Sequence, residues 1–348
     1  MIKTDIDTIE FELTQCCQLK CPHCFVNKIN GNMTEKTFKN ALKFILDVSQ
    51  NTTSPKFGIV LTGGETSLFD LDVLSKGIDW LKENIKLPLK LYFQTNLMYE
   101  ITEKHMEVFK KITVLNTSWD YQSRFESPQQ EALLFKNIRK LQEAGIYVRM
   151  IVSITDKLVH EVTPEMFMSF IMATGVKSFD FNRLFTPHGY TAEEYRKITL
   201  ATAAEQAEWY YQVYRIWDAI RDELGIGVFD YECLEDGYRG THYNQYSFTC
   251  PDTFIHIAST GVITYCHDVR EHSFGNVNTG EFNVEKYNEI LNKHHTNWET
   301  ADCKNCEYAE YCQSRCQWMY HDETGCTVPK KAYEYLKIKN ALKEGKNK

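Results

Sequence analysis

The sequence predicts an α/β fold in which strand and helix alternate six times, followed by a cysteine-rich C-terminal domain. Three observations carry this prediction. Strand-like and helix-like stretches alternate from Thr8 to Asn182. Phe57–Leu61 (FGIVL) is a continuous apolar run, as in a strand buried on both faces of a parallel sheet. Seven of the 12 cysteines lie at or beyond residue 250, at metal-ligand spacing.

The elements follow in order. Thr8–Leu13 alternates apolar and polar residues, as a strand does. Met33–Val48 is an amphipathic helix with Phe38, Leu42, Ile45 and Leu46 on one face and Thr34 as its N-cap. The strand Phe57–Leu61 precedes a helix over Leu71–Ile85, and the strand Lys90–Thr95 precedes one near Thr102–Lys111. Ile112–Ser118 is the fourth strand, and the helix Pro128–Ala144 stops at Gly145. Ile146–Ile154 is the fifth strand, followed by the helix Thr163–Thr174 and the strand Lys177–Asn182. Such repeats imply parallel strands with right-handed crossovers, in an open doubly wound sheet or part of a barrel. Either arrangement puts the ligand site at the carboxyl ends of the strands.

A helical stretch runs from Gly189 to about Leu224, and its Trp209, Tyr210, Val213, Ile216 and Trp217 recur at core spacing. From about Phe248 to Cys326 the chain is loop-rich, too short in regular structure to pack a core without metal. Pro329–Lys348 closes the chain as a charged amphipathic helix.

With 348 residues, 43% hydrophobic and 25% charged, the composition is ordinary globular. A net charge of −8 disfavours nucleic acid as a partner. The sequence shows neither a signal peptide nor an apolar run of membrane-spanning length, so a cytoplasmic location is expected. In a reducing compartment cysteines serve metal rather than disulfides. A zinc-ribbon tail beside an unrelated N-terminal cluster is the plainer alternative.

The N-terminal cysteines read Cys17-x3-Cys21-x2-Cys24 (CQLKCPHC), directly after the first strand. A [4Fe–4S] cluster normally takes four thiolates, so three leave one iron open to an outside molecule. Gly63, Gly64 and Glu65 follow the second strand, at the same predicted rim. Glycine lets a backbone approach a ligand closely, and a carboxylate can accept from an ammonium. Cys16 lies outside the spacing and reads as a small buried hydrophobe.

The triplet joined to Gly-Gly-Glu resembles the radical S-adenosylmethionine enzymes. The resemblance implies a partial (β/α)6 barrel over residues 1–190, a helical linker over 191–247, and a C-terminal domain over 248–348. Cys17, Cys21 and Cys24 would hold the cluster, whose open iron takes the amino and carboxylate groups of S-adenosylmethionine. One-electron reduction then cleaves the sulfonium to a 5′-deoxyadenosyl radical, which abstracts hydrogen from the substrate. His23 stands where the family usually has an aromatic near the adenine. Gly63, Gly64 and Glu65 would meet the methionyl amino group, with Thr66 where many members have proline. Asn96, Ser118 and Asp120 match positions lining the ribose side, although Ser118 and Asp120 could equally just end a strand. Arg149 and Ser153 are weaker matches.

The tail reads Cys250-x10-Gly261-x4-Cys266, Cys303-x2-Cys306-x5-Cys312-x3-Cys316 and Cys326. It resembles the SPASM extension, an auxiliary-cluster domain, at every cysteine of that pattern. By that resemblance Cys303, Cys306, Cys312 and Cys326 hold one auxiliary iron–sulfur cluster, of [4Fe–4S] type, and Cys250, Cys266 and Cys316 hold a second. The second is open at one iron, or takes Cys233 or His242; Cys233, read as a loop residue able to reach back, is preferred. His267 and Asp268, directly after Cys266, are candidates for the catalytic base or for hydrogen bonds to cluster sulfurs.

The SPASM resemblance implies oxidative modification of a peptide side chain, first of all crosslinking of a ribosomally made peptide. An anaerobic sulfatase-maturing (formylglycine-forming) activity and a small-molecule oxidase acting on a tetrapyrrole or sugar are the alternatives. A non-catalytic iron–sulfur carrier would have no use for the cofactor pocket. The implied partners are a peptide or protein substrate and a one-electron reductant such as flavodoxin or ferredoxin, with no nucleic acid or membrane. The chain opens on the first strand, so a leader peptide is expected to bind the barrel, the tail or a separate partner.

Overall fold

The structure is a computed structural model. It describes residues 5–24, 26, 31–182, 201–239, 253–266, 273–297, 305–309, 311–312, 321–322, 324–327 and 330–346. In chain order the first elements are β1 (Thr8–Thr14), α1 (Glu35–Asn51), β2 (Phe57–Gly63), α2 (Leu71–Asn84), β3 (Leu89–Thr95) and α3 (Glu103–Phe109). Next come β4 (Val114–Trp119), α4 (Pro128–Glu143), β5 (Val148–Ser153), α5 (Asp156–Glu161), α6 (Pro164–Thr174) and β6 (Ser178–Asn182). These are followed by α7 (Ala203–Leu224), β7 (Gly227–Val228), α8 (Phe229–Tyr238), β8 (Phe254–Ile257), β9 (Val262–Thr264), β10 (Gly275–Asn276) and β11 (Glu281–Phe282). The last are α9 (Val284–Asn297), β12 (His321–Asp322), β13 (Gly325–Cys326) and α10 (Lys330–Lys346).

The chain divides into two compact units. The first comprises Met1–Ser118, Phe125–Arg149 and Thr249–His294. Its strands lie in the order β11-β10-β9-β8-β1-β2-β3-β4. β1, β2, β3 and β4 pair in parallel, as the alternation of strands and helices requires. The segment after Thr249 has more regular structure than its composition promised. β8 adds to β1 in parallel, Thr8 facing Phe254, and β9, β10 and β11 continue antiparallel.

That addition explains two carboxylates on β1. Glu10 and Glu12 are 8% and 2% exposed, and a buried charge is costly unless it is answered. Glu10 meets His256 of β8 at 3.2 Å. Glu12 accepts from the Ser259 amide at 3.1 Å, the Ser259 hydroxyl at 2.8 Å and Gln15 Nε2 at 3.0 Å.

Helices cover this sheet with the faces their periodicity assigns. Thr34 caps α1 by accepting from the Thr37 amide, and Phe38, Leu42 and Ile45 are buried, with Leu46 half-buried. Phe38 stacks on Phe11 of β1, with ring centres 5.6 Å apart. A side chain at Gly77 of α2 would begin 2.5 Å from the Phe38 ring, so the close passage of these helices needs glycine there.

The second unit comprises Trp119–Arg124, Met150–Phe248 and His295–Lys348. Here β6 pairs in parallel with β5 and β7. Thr202 and Glu205 form a capping box that starts α7 at Ala203, and Gly225 ends it in the left-handed region. The stretch 183–200 lies outside the described residues. Trp209, Tyr210, Val213 and Trp217 are buried with Phe181 and Tyr231 in an aromatic core, while Ile216 is half-buried. Among the described residues no helix is long and apolar enough to cross a membrane.

Candidate functional site

The three N-terminal cysteines leave the carboxyl end of β1 on one loop. That loop returns where Gly31 and Met33 bond back to Gln15 and Leu13. Cys17, Cys21 and Cys24 are half-buried, and His23 is buried on the same loop. A turn between Cys21 and Cys24 is closed by the Cys24 amide on the Cys21 carbonyl at 3.2 Å. The Leu19 amide points at Cys17 Sγ, 3.4 Å away.

Gly63 and Gly64 set this loop against the end of β2. Gly63 has φ 153°, and a Cβ there would lie 2.2 Å from the Thr14 carbonyl oxygen. A Cβ on Gly64 would lie 2.4 Å from the Cys16 carbonyl oxygen. The sequence reading had the glycines making room for a ligand. The structure shows that they also make room for the backbone that carries the cysteines. Two hydrogen bonds seal the contact, Gly64 N–H to Thr14 at 2.8 Å and Glu65 N–H to Cys16 at 2.7 Å.

Glu65 is the centre of a buried network. It is 1% exposed, and burial raises its carboxyl pKa above the usual range against the pull of its donors. Oε1 accepts from the Ser67 amide at 3.0 Å and the Thr95 hydroxyl at 2.8 Å, and Oε2 accepts from the Asn96 amide at 2.7 Å. Thr95 spends its proton on Glu65, so the Tyr99 hydroxyl donates to Thr95 at 2.7 Å. A carboxylate offers about four acceptor positions, which leaves Oε2 room for one further donor.

Asn96, at the end of β3, joins this network to the cysteine loop. Its Nδ2 lies 3.7 Å from Cys17 Sγ, and its Oδ1 accepts from Gln18 Nε2 at 3.0 Å. Ser118, at the end of β4, is buried and accepts from Gln94 at 3.2 Å. Asp120 belongs to the second unit. It is fully buried, pairs with Arg124 and accepts from the Ser153 amide at 3.2 Å. Sequence reasoning missed Thr95, Tyr99 and Gln18. The one signal for Thr95 was a polar residue at an inward-facing strand position.

Of the tail cysteines, Cys266 is half-buried just after β9 in the first unit. Cys306, Cys312 and Cys326 are half-buried in the second. Cys250, Cys303, Cys316, His242, His267 and Asp268 lie outside the described residues. Cys233 does not sit in the expected loop: it is buried within α8. Burial, reinforced by Asp230, Asp180, Asp236 and Glu232, pushes its thiol pKa up strongly. A thiol held protonated is a poor metal ligand. Cys233→Ala is expected to retain wild-type iron content and to lose about 1 kcal/mol of stability, measured by iron assay and denaturant unfolding.

The donor set fits an iron–sulfur centre: three soft sulfur donors on one loop, with the Asn96 and Leu19 N–H groups facing Cys17 Sγ. Among the described residues no three His, Cys, Asp or Glu side chains converge on a single point. A four-iron cube does not require this, because its ligands grip separate irons.

Residues 11–136 match the family model of the 4Fe-4S single cluster domain. Among solved structures, anSMEcpe with bound AdoMet and Cp18Cys peptide aligns at TM-score 0.78 and 15% identity, covering 98% of this chain and 99% of that one. Streptococcus suis SuiB bound to precursor peptide SuiA aligns at TM-score 0.64 and 15% identity, covering 92% of this chain and 76% of that one. No curated protein matches the sequence. The chain thus shares the α/β fold of these structures. Its cysteine-rich C-terminus lies within the aligned length.

Proposed function

We propose that this chain is a radical S-adenosylmethionine oxidoreductase that modifies a peptide side chain, with crosslinking of a ribosomally made peptide as its reaction. The observation that carries this reading is the meeting of the cysteine loop, Glu65 and Asn96 at the carboxyl ends of β1, β2 and β3. Cys17, Cys21 and Cys24 hold the cluster. When bound, cluster and S-adenosylmethionine supply a 5′-deoxyadenosyl radical able to take a hydrogen atom from an unactivated carbon. Glu65 offers its remaining acceptor position to the methionyl ammonium, and its three fixed donors keep it from turning away. By the family resemblance His23 would serve the adenine, and Asn96, Ser118 and Asp120 would serve the ribose.

The tail supplies ligands for two auxiliary iron–sulfur clusters. Cys303, Cys306, Cys312 and Cys326 hold one; Cys250, Cys266 and Cys316 hold the other. Such clusters would supply an acceptor for the second electron of the oxidation, and His267 or Asp268 would be the base for its proton. A reducing cytoplasm and a flavodoxin- or ferredoxin-like donor suit such a centre. The peptide reading draws support from the two aligned structures, which were solved with Cp18Cys and SuiA bound. Sulfatase maturation is the second reading, and a small-molecule oxidase the third.

The test is 5′-deoxyadenosine release from anaerobically reconstituted protein with dithionite and S-adenosylmethionine. Cys17→Ala, Cys21→Ala and Cys24→Ala should each reduce release by at least about 1,000-fold, whereas Cys306→Ala should spare release and stop product formation. Release that survives loss of the triplet would refute the assignment. Coexpression with candidate precursor peptides or a sulfatase, read by mass spectrometry, separates the first two substrate readings.

A further inference from the structure

The turn after β3 is built in a way that its backbone alone would resist. Leu97 is a fully buried, non-glycine residue at φ 56°, in the left-handed region that side chains disfavour. Asn137 of α4, itself 3% exposed, holds it there. Its Nδ2 donates to the Leu97 carbonyl at 2.9 Å and the Tyr99 carbonyl at 2.8 Å. The result of this clamped turn is the aim of Asn96.

The orientation of the Asn96 amide is not ambiguous. The Met98 backbone N–H, which can only donate, points at Oδ1 from 2.8 Å, and Gln18 Nε2 points at the same oxygen. Nδ2 is therefore the atom facing Cys17 Sγ at 3.7 Å. The backbone amide of Asn96 is held at the same time by Glu65. Both side-chain polar atoms and the backbone N–H are thus committed to a geometry that presents an N–H to one particular sulfur.

We propose that Asn96 is a positioning residue for the cluster, donating a hydrogen bond to the Cys17 sulfur and thereby raising the cluster's reduction potential. The proposal rests on the triplet being the cluster site. An N–H aimed at a ligating sulfur stabilises the more negative, one-electron-reduced cluster more than the oxidised one. The bond favours electron entry from the external reductant, and no atom is transferred in the tuning itself. The Leu19 amide, which also faces Cys17, supplies a constant background in any Asn96 variant.

The experiment is an anaerobic potentiometric titration of the full-length reconstituted protein, followed by electron paramagnetic resonance. The signal monitored is the one that changes when S-adenosylmethionine is added, which separates the triplet cluster from any in the tail. Asn96→Ser removes the donor, stays neutral and is too short to reach Cys17. Asn96→Asp keeps the shape and the oxygen for Met98 but replaces the donor with negative charge. The midpoint is expected to fall in Asn96→Ser and to fall further in Asn96→Asp. An unchanged or higher midpoint in Asn96→Ser would overturn the proposal. So would loss of cluster uptake in both variants, because a tuning residue leaves the three thiols competent to bind. A wild-type protein with no S-adenosylmethionine-responsive signal would overturn the underlying reading of the triplet, and the proposal with it.

Discussion

Glu65→Gln is expected to abolish 5′-deoxyadenosine release and to lower the free energy of unfolding by roughly 2–4 kcal/mol. The carboxylate is buried and receives donors on both oxygens. A glutamine of the same shape has one oxygen and one NH2 group. If the oxygen stays at the Oε1 position, the NH2 faces the Asn96 amide. If it takes the Oε2 position, the NH2 faces the Ser67 amide and the Thr95 hydroxyl. Either orientation leaves a buried donor against a donor, and such a group bears its full desolvation cost. The functional loss has a separate origin, since the neutral side chain no longer attracts an ammonium. Denaturant unfolding and product chromatography read the two effects independently. Wild-type stability in this variant would mean that the network around Glu65 does not hold the site together.

The second large effect is expected from Gly64→Ala. The added methyl carbon would sit 2.4 Å from the Cys16 carbonyl oxygen and 2.7 Å from both the Cys16 carbonyl carbon and the Gln15 carbonyl oxygen. These obstacles are backbone, so no side-chain rotation relieves the clash. The loop carrying Cys17 must move away from β2, and the Glu65 N–H bond to Cys16 breaks with it. The expected result is a destabilisation of about 3 kcal/mol and at least about tenfold weaker retention of iron at the triplet, measured by iron assay after gel filtration. Gly58→Ala, on the same strand, is the control. Its nearest neighbour would be Thr8 Oγ1 at 3.4 Å, an ordinary contact, so its iron content should match wild type.

Much of the scaffold was legible because local signals agreed with the fold. Thr34 caps the helix its position foretold, and Gly145 follows the end of α4 at φ 76°. The apolar face of α1 and the aromatic repeat of α7 are buried as their periodicity required. Other features depended on partners distant in sequence. Nothing around Glu10 or Glu12 announces that β8 will lie alongside β1, because the pairing joins residues nearly 250 apart. The helix α8 was read as loop because Phe229–Tyr238 (FDYECLEDGY) is dense in acidic residues and has no clean apolar stripe. Its acidic residues instead tie it to β6, where the Phe181 amide donates to Asp230 and the Asp230 amide to Asp180.

The site shows the same division. The cysteine spacing and Gly-Gly-Glu mark the cysteine loop and the buried carboxylate, because those are local patterns. The backbone approach that the glycines allow was not legible, since an approach of backbone to backbone and one of backbone to ligand ask for the same residue. The clamp of Asn137 on Leu97, and the aim it gives Asn96, depend on a helix 40 residues downstream. No pattern within one stretch of sequence encodes that arrangement.

The central claim is that Cys17, Cys21 and Cys24 bind a cluster with one iron open to S-adenosylmethionine. Its most direct test is electron paramagnetic resonance of the dithionite-reduced, anaerobically prepared protein, with and without S-adenosylmethionine. The account predicts a [4Fe–4S] signal whose shape changes on addition of the cofactor and which disappears in the Cys17→Ala, Cys21→Ala and Cys24→Ala variants. A signal indifferent to S-adenosylmethionine, or one that persists without the three cysteines, would contradict it.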